Sequence, residues 1–208
     1  MRDLRRLFAI LVMTSLACST LGLLPYQATF DTLGKWASGS DSDVEGDAAG
    51  GRYELLVKAE TGLFWSTAGE RFGDGVYEVE ATALEGPLDN GFGMMFRMDE
   101  DSQSFYEFKV SSDGYVYVGR CADGCDEAVP LVQDGWFTSP VVEQGLNVTN
   151  VLRVEANGPE LVFFVNDQEV GRVADDTLDK GDIGILVESF GVGGVRVAFD
   201  NFTVTPLE

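Results

Sequence analysis

Histidine is absent from this chain, so its chemistry falls to carboxylates, hydroxyls, aromatic faces and three cysteines. That removes the usual general base, the usual activator of a nucleophile and the commonest transition-metal ligand. Paired carboxylates remain. Glu78-Val-Glu80 puts two acids on one face of a strand, and glycoside hydrolysis with retention needs two carboxyl groups about 5 Å apart. Asp99-Glu100-Asp101 is consecutive, so its side chains would alternate faces, and it reads as a hairpin loop. Asp41, Asp43 and Glu45 have the spacing of a calcium loop but lack its other ligand positions and a following helix. They read as a solvated charge run within an acidic, mobile loop over 38–51.

A second constellation suits docking better than bond breaking. If Met94, Phe96, Tyr106, Phe108 and Val110 face a core, then Arg97, Phe105, Glu107 and Lys109 share the opposite face. Trp65, Tyr117 and Trp136 can complete a platform of rings and charges there. Sugar sites use such aromatic faces with a few polar groups that fix orientation. The plainer alternative is that the rings pack the sandwich and that Arg97 and Glu107 form a cross-strand ion pair.

The cysteines divide into one and two. Met1 to Arg6 is basic, Leu7 to Met13 is apolar, and small residues follow at Ser15 and Ala17. This is the pattern of an export signal over 1–17, too short for a membrane span. Cys18, after Ser-Leu-Ala, resembles the lipidated cysteine of bacterial lipoproteins, although Ser15 stands where that pattern prefers Leu. Ser15 and Ala17 equally satisfy the small-x-small rule of ordinary signal peptidase. Setting Cys18 aside leaves Cys121 and Cys125 as a pair for an oxidising compartment, expected to clip a small loop. A redox or zinc role for that pair is the alternative, but the chain lacks the four zinc ligands. The expected location is extracellular or at the cell surface, with the membrane met only through a lipid anchor.

The elements that must hold these residues are strands. After a tether over 18–26, one domain is expected over 27–208. It opens with a strand from Gln27 to Leu33, with Phe30 pointing inward. Strands are expected at Tyr53–Ala59, Leu63–Thr67, Gly75–Leu84, Gly91–Met98, Ser104–Ser111, Tyr115–Arg120 and Ala128–Val132, at the spacing of a sandwich. The last quarter, from Asn150 to Val204, reads as four further runs, with Asn166-Asp167 as a two-residue turn. The fold class is therefore all-β, a two-sheet antiparallel β-sandwich. Against 14 Lys and Arg stand 35 Asp and Glu, a formal net charge of −21. Such a field repels phosphate backbones, so nucleic acid is excluded as a partner.

Several runs also carry a family resemblance. Gly75-Val-Tyr-Glu-Val-Glu-Ala, Asn90-Gly-Phe-Gly-Met-Met-Phe-Arg97, Phe105-Tyr-Glu-Phe-Lys-Val-Ser-Ser-Asp-Gly-Tyr115 and Phe199-Asp-Asn-Phe-Thr-Val resemble the concanavalin A-like jelly rolls. The branch most similar is that of the 3-keto-disaccharide hydrolases, related to laminin-G-like modules and laminarinase-type glucanases. The resemblance implies a jelly roll whose concave face meets glycans. A glucanase of this kind would carry Glu-x-Asp-x-Glu on one strand, and Glu78-Val-Glu80 lacks the central Asp and the third acid. The expected function is glycan binding without cleavage. The alternatives are a sugar hydrolase or lyase using Glu80 or Glu107, and a protein-interaction or adhesion module. The resemblance also points to a structural Ca²⁺ held by carboxylates from both termini, with Asp31 and Asp200 as the positions. The alternative is that Asp200 caps a turn or hydrogen-bonds to a neighbouring strand, and no other cofactor is expected.

Overall fold

The computed structural model describes residues 24–125 and 128–207. The export signal and Cys18 lie outside them. The first eight strands are β1 (Tyr26–Ala28), β2 (Gly39–Ser40), β3 (Val44–Ala48), β4 (Tyr53–Val57), β5 (Thr61–Phe72), β6 (Gly75–Glu85), β7 (Gly91–Asp99) and β8 (Ser104–Ser111). The other eight are β9 (Tyr115–Cys121), β10 (Ala128–Pro130), β11 (Phe137–Thr138), β12 (Thr149–Asn157), β13 (Glu160–Val165), β14 (Gln168–Ala174), β15 (Gly181–Phe190) and β16 (Val195–Pro206). Among the described residues no helix is long and apolar enough to cross a membrane.

Two antiparallel sheets result. One runs β14-β13-β12-β6-β16-β4-β3-β2, with β1 also paired to β16, and the other runs β10-β9-β8-β7-β15-β5, with β11 also paired to β9. The sequence dictates which face goes inside. Along β6, Tyr77, Val79 and Ala81 are buried while Val76, Glu78 and Glu80 are partly exposed, because successive side chains leave a strand on opposite faces. Met94, Phe96, Tyr106, Phe108 and Val110 enter the shared core, as their alternation requires. Phe96 and Phe108 both stack against Phe163 of the opposing sheet, with centroids 6.4 and 5.3 Å apart. Each large side chain removed from water this way is worth roughly 1.5–3 kcal/mol.

Turn chemistry sets several registers. Asn166 and Asp167 take φ of 49° and 63°, so the two-residue turn joins β13 to β14 in the left-handed geometry that matches strand twist. The opening strand is shorter than its apolar content suggests. It ends at Ala28, because Phe30 adopts φ 51° and turns its ring into Trp36 and Tyr53 at 5.2 and 5.7 Å. The acidic stretch over 38–51 is also not simply a loop. It folds into the β2–β3 hairpin on the edge of the larger sheet. Asp41 caps its turn by accepting the amides of Asp43 and Val44, and Lys58 pairs with Glu45 at 3.1 Å.

The sheet edges are interrupted, that of the seven-residue β14 by a register shift against β13. β2 has two residues and β10 three, the last of them Pro130. β5 is long, but its pairing with β15 shifts between Asp182 and Gly184. There the fully buried Asp182 carboxylate accepts the amides of Gly69 and Glu70 at 3.1 and 2.9 Å.

Candidate functional site

The outer face of the smaller sheet gathers the chemistry. Register places Glu107 of β8 opposite Met95 of β7 and Gly119 of β9, and Lys109 opposite Gly93 and Tyr117. On the far side of β7, Glu188 of β15 stands opposite Gly91. With only glycines at 91 and 93 between them, Lys109 reaches across β7 to Glu188. Gly91 has a second reason. A Cβ there would meet the Trp136 ring at 3.0 Å, so this glycine lets the indole lie down on the sheet.

Lys109 is boxed in. Its Nζ lies 2.7 Å from Glu107 Oε2 and donates to Glu188 Oε2 at 2.6 Å. It also sits 4.5 Å from the centre of the Tyr117 ring and 5.6 Å from that of Trp136. Glu107 is fully buried, with Lys109 against Oε2 and no hydrogen-bond partner for Oε1 among the described residues. Burial holds the Glu107 carboxyl above the usual range, the Lys109 charge opposes that rise, and Glu188 adds to it. The Tyr117 phenol is pushed up by burial first and then by the two glutamates.

Two acids aimed at one small hollow would suggest hydrolysis, and their spacing permits it. Their nearer oxygens stand no farther apart than the two Lys109 distances added together. The space between them, where a reacting anomeric carbon would have to sit, holds the ammonium instead. This hollow, of about 260 Å³, is lined by both glutamates, Lys109, Tyr117, Trp136 and Leu63 among others.

Trp136 is also the wall of a second and more open hollow, of about 320 Å³. Its other walls are Tyr115, Phe190, Asp89, Ser111 and Asp113. Trp136 and Phe190 stand nearly perpendicular, at 86° with centroids 6.2 Å apart. Phe190 is held there by Asn90, whose buried side-chain carbonyl accepts the Phe190 amide at 3.0 Å while its NH₂ donates to the Pro87 carbonyl. Tyr115 and Phe190 are exposed. These residues come from the β6–β7 crossover, the β8–β9 turn, the 131–136 connection and the end of β15.

The expected platform is therefore partly assembled. Glu107, Lys109, Tyr117 and Trp136 come together. Phe105 shares their face but is fully buried, in a second apolar cluster with Met95, Met98, Cys121 and Leu186. Trp65 packs half-buried against Phe105 at 5.8 Å and lines a different hollow, beside Ser40, Asp41 and Ser66. Arg97 is not on this face. It takes φ 51° at the irregularity between Phe96 and Asp99, so its side chain leaves the alternation. Its guanidinium, 1% exposed, donates to the carbonyls of Gly73, Gly158 and Leu178 and to Asp74 at 2.8 Å. The Arg97–Glu107 ion pair does not form for the same reason. Sequence reasoning missed Glu188, Asp89, Asp113, Tyr115 and Phe190, which lie far apart in the chain.

Cys121 and Cys125 are joined in a disulfide that clips the loop after β9. A Glu107 oxygen lies close to their sulfurs, but a disulfide leaves no thiolate there to hold a metal. Asp31 accepts the Thr29 hydroxyl at 2.8 Å, and Asp200 accepts the Asn201 amide at 2.7 Å. Neither Asp31 nor Asp200 lies in a cluster of three or more acidic or sulfur side chains among the described residues. Glu80 is engaged by Asn201 at 3.1 Å on the outer face of the larger sheet, away from the Trp136 hollows.

Solved structures share this arrangement of strands. A carbohydrate-binding module, CBM66 from Bacillus subtilis, is 17% identical with a TM-score of 0.63, covering 81% of this chain and 94% of that one. The protein is a jelly roll. A prokaryotic β-1,3-1,4-glucanase (lichenase) from a mouse hindgut metagenome is 10% identical with a TM-score of 0.62, covering 88% and 99%. The Crh5 transglycosylase is 13% identical with a TM-score of 0.64, covering 90% and 86%. No family model and no curated protein matches the chain. At these identities the jelly roll's likeness is one of fold, and function must be argued from the site.

Proposed function

We propose that this jelly roll binds glycan on the outer face of its smaller sheet without cleaving it. The observation that carries the reading is the pair of hollows sharing Trp136, with open ring faces on one side and a carboxylate–ammonium cluster on the other. Pyranose rings dock on aromatic faces while their hydroxyls meet fixed polar groups, and both are present here. The absence of cleavage is argued from Lys109, which fills the gap between Glu107 and Glu188. The structural neighbours include both a carbohydrate-binding module and glycan-processing enzymes, which supports a glycan-related role. The basic and apolar leader, followed by Cys18, supports an exported, lipid-anchored protein displayed at the cell surface.

A glycan array with the wild type and Trp136→Ala tests the reading. Binding lost about tenfold or more in the variant is the expected result, since one stacked ring is worth about 1–2 kcal/mol. Binding unchanged by the substitution would move the site elsewhere. The second reading, hydrolysis of 3-keto-disaccharides, is favoured by the raised Glu107 carboxyl. Turnover of such a disaccharide that disappears in Glu107→Gln would establish it.

A further inference from the structure

We infer that the groove built around Trp136 selects glycans carrying protonated amines, that is, polymers of amino sugars with free ammonium groups. The inference rests on the glycan-binding reading and adds the ligand's charge. The open hollow offers three ring faces, Trp136, Tyr115 and Phe190, two of them nearly perpendicular, and the negative face of an aromatic ring attracts a cation. Two carboxylates, Asp89 and Asp113, stand at its rim. Asp89 is exposed, and neither has an ion-pair partner among the described residues; Asp113 accepts only the Ser111 hydroxyl.

Beyond Trp136 the same sign continues. Glu107 and Glu188 face the single ammonium of Lys109, so the two hollows together hold four carboxyl groups against one cation. Oε1 of the buried Glu107 still lacks a hydrogen-bond donor, Oε2 being met by Lys109, and Glu107 lines the enclosed hollow. A buried acceptor without a partner is costly, and a ligand rich in N–H and O–H donors removes that cost. Uronic acids and sulfated sugars would bring like charge to this groove, and an N-acetyl group would bring neither charge nor enough donors. An alkylammonium on a sugar ring brings both.

The test compares four oligosaccharides of equal length against the full-length protein by calorimetry at about 0.15 M salt, where surface attraction is screened beyond roughly 8 Å. They are a β-1,4-glucosamine oligomer, its N-acetylated counterpart, a neutral β-glucan and a galacturonate. The expected result is that the free amine binds about tenfold more tightly than its acetylated form, the size of one cation–ring and carboxylate contact. Asp89→Asn, exposed and free of structural bonds, should erase most of that difference, and Trp136→Ala should weaken the amine oligomer. Glu169→Gln, on β14 of the other sheet and outside both hollows, should do neither. Equal or tighter binding of the acetylated or neutral oligomer overturns the amine preference and leaves glycan binding standing. Amine binding indifferent to Asp89→Asn and Trp136→Ala assigns it to the general acidic surface and also overturns the proposal. Failure of all four, with an empty glycan array, removes the underlying reading too.

Discussion

Replacing Lys109 by Met keeps the side chain as far as its ε atom and deletes its charge, leaving Glu107 buried beside Glu188 with no cation between them. At 2.7 Å and an effective dielectric of about 20, the gross attraction of one pair is about 6 kcal/mol. Taking Lys109, 3% exposed, and Glu107 out of water consumes much of that gain. The measured loss on removing one partner of a buried pair is therefore about 3–5 kcal/mol. Urea unfolding followed by tryptophan fluorescence should show this at neutral pH, with a Tm lower by about 10 °C for a chain of this size. The pH dependence has a definite sign. Glu107 has a folded-state pKa above its unfolded value, and losing Lys109 raises it further. Stability tied to its protonated form is fully present below the ordinary glutamate value, about 4.3, and is lost as pH rises through the folded pKa. The deficit of Lys109→Met should thus be small in acid and grow toward neutrality. Adding Glu107→Gln should restore at least half of it, because Glu188 reaches solvent and needs no partner. A loss under about 1 kcal/mol, or an equal loss in the double variant, would refute the account of Lys109 as the clamp between two acids.

Arg97→Leu should destabilise the domain by about 3–5 kcal/mol in the same urea assay, because three carbonyls lose their charged donor in a buried setting; a loss under about 1 kcal/mol would show that water serves them equally well. Opening the disulfide with Cys121→Ser and Cys125→Ser together should cost about 2 kcal/mol, the chain-entropy value for so short a loop. Hydrogen exchange should then rise in the loop after β9 and not in β6 or β16, and a global rise would count against a local clip.

The fold was legible because its signals are local. Glu78 and Glu80 alternating with Tyr77, Val79 and Ala81 betray β6 without any partner, and Asn166-Asp167 announces its own turn. The β2–β3 hairpin hid because its residues are acidic and small, and its pairing with β4, helped by the Asp41 cap and the Lys58–Glu45 pair, makes it a sheet edge. Half the site was legible for the same local reason: Glu107 and Lys109 are two apart on one strand. Arg97 was not, since strict alternation fails where one residue takes a positive φ. Glu188 needed knowledge that β15 lies beside β7, and Phe190 needed the Asn90 tie across a separation of 100 residues. Such neighbours are products of topology, and topology is not written in any short window.

The broken borders of the two sheets have a consequence for molecules kept close together. A neighbouring copy seeking an unpaired backbone to zip onto finds two residues at β2, a proline at β10, a bent ladder on β5 and, at β14, a strand that carries Glu169 and Arg172 and is itself shifted in register against β13. Crowded side by side, copies of this protein should stay separate rather than fusing into a continuous fibre.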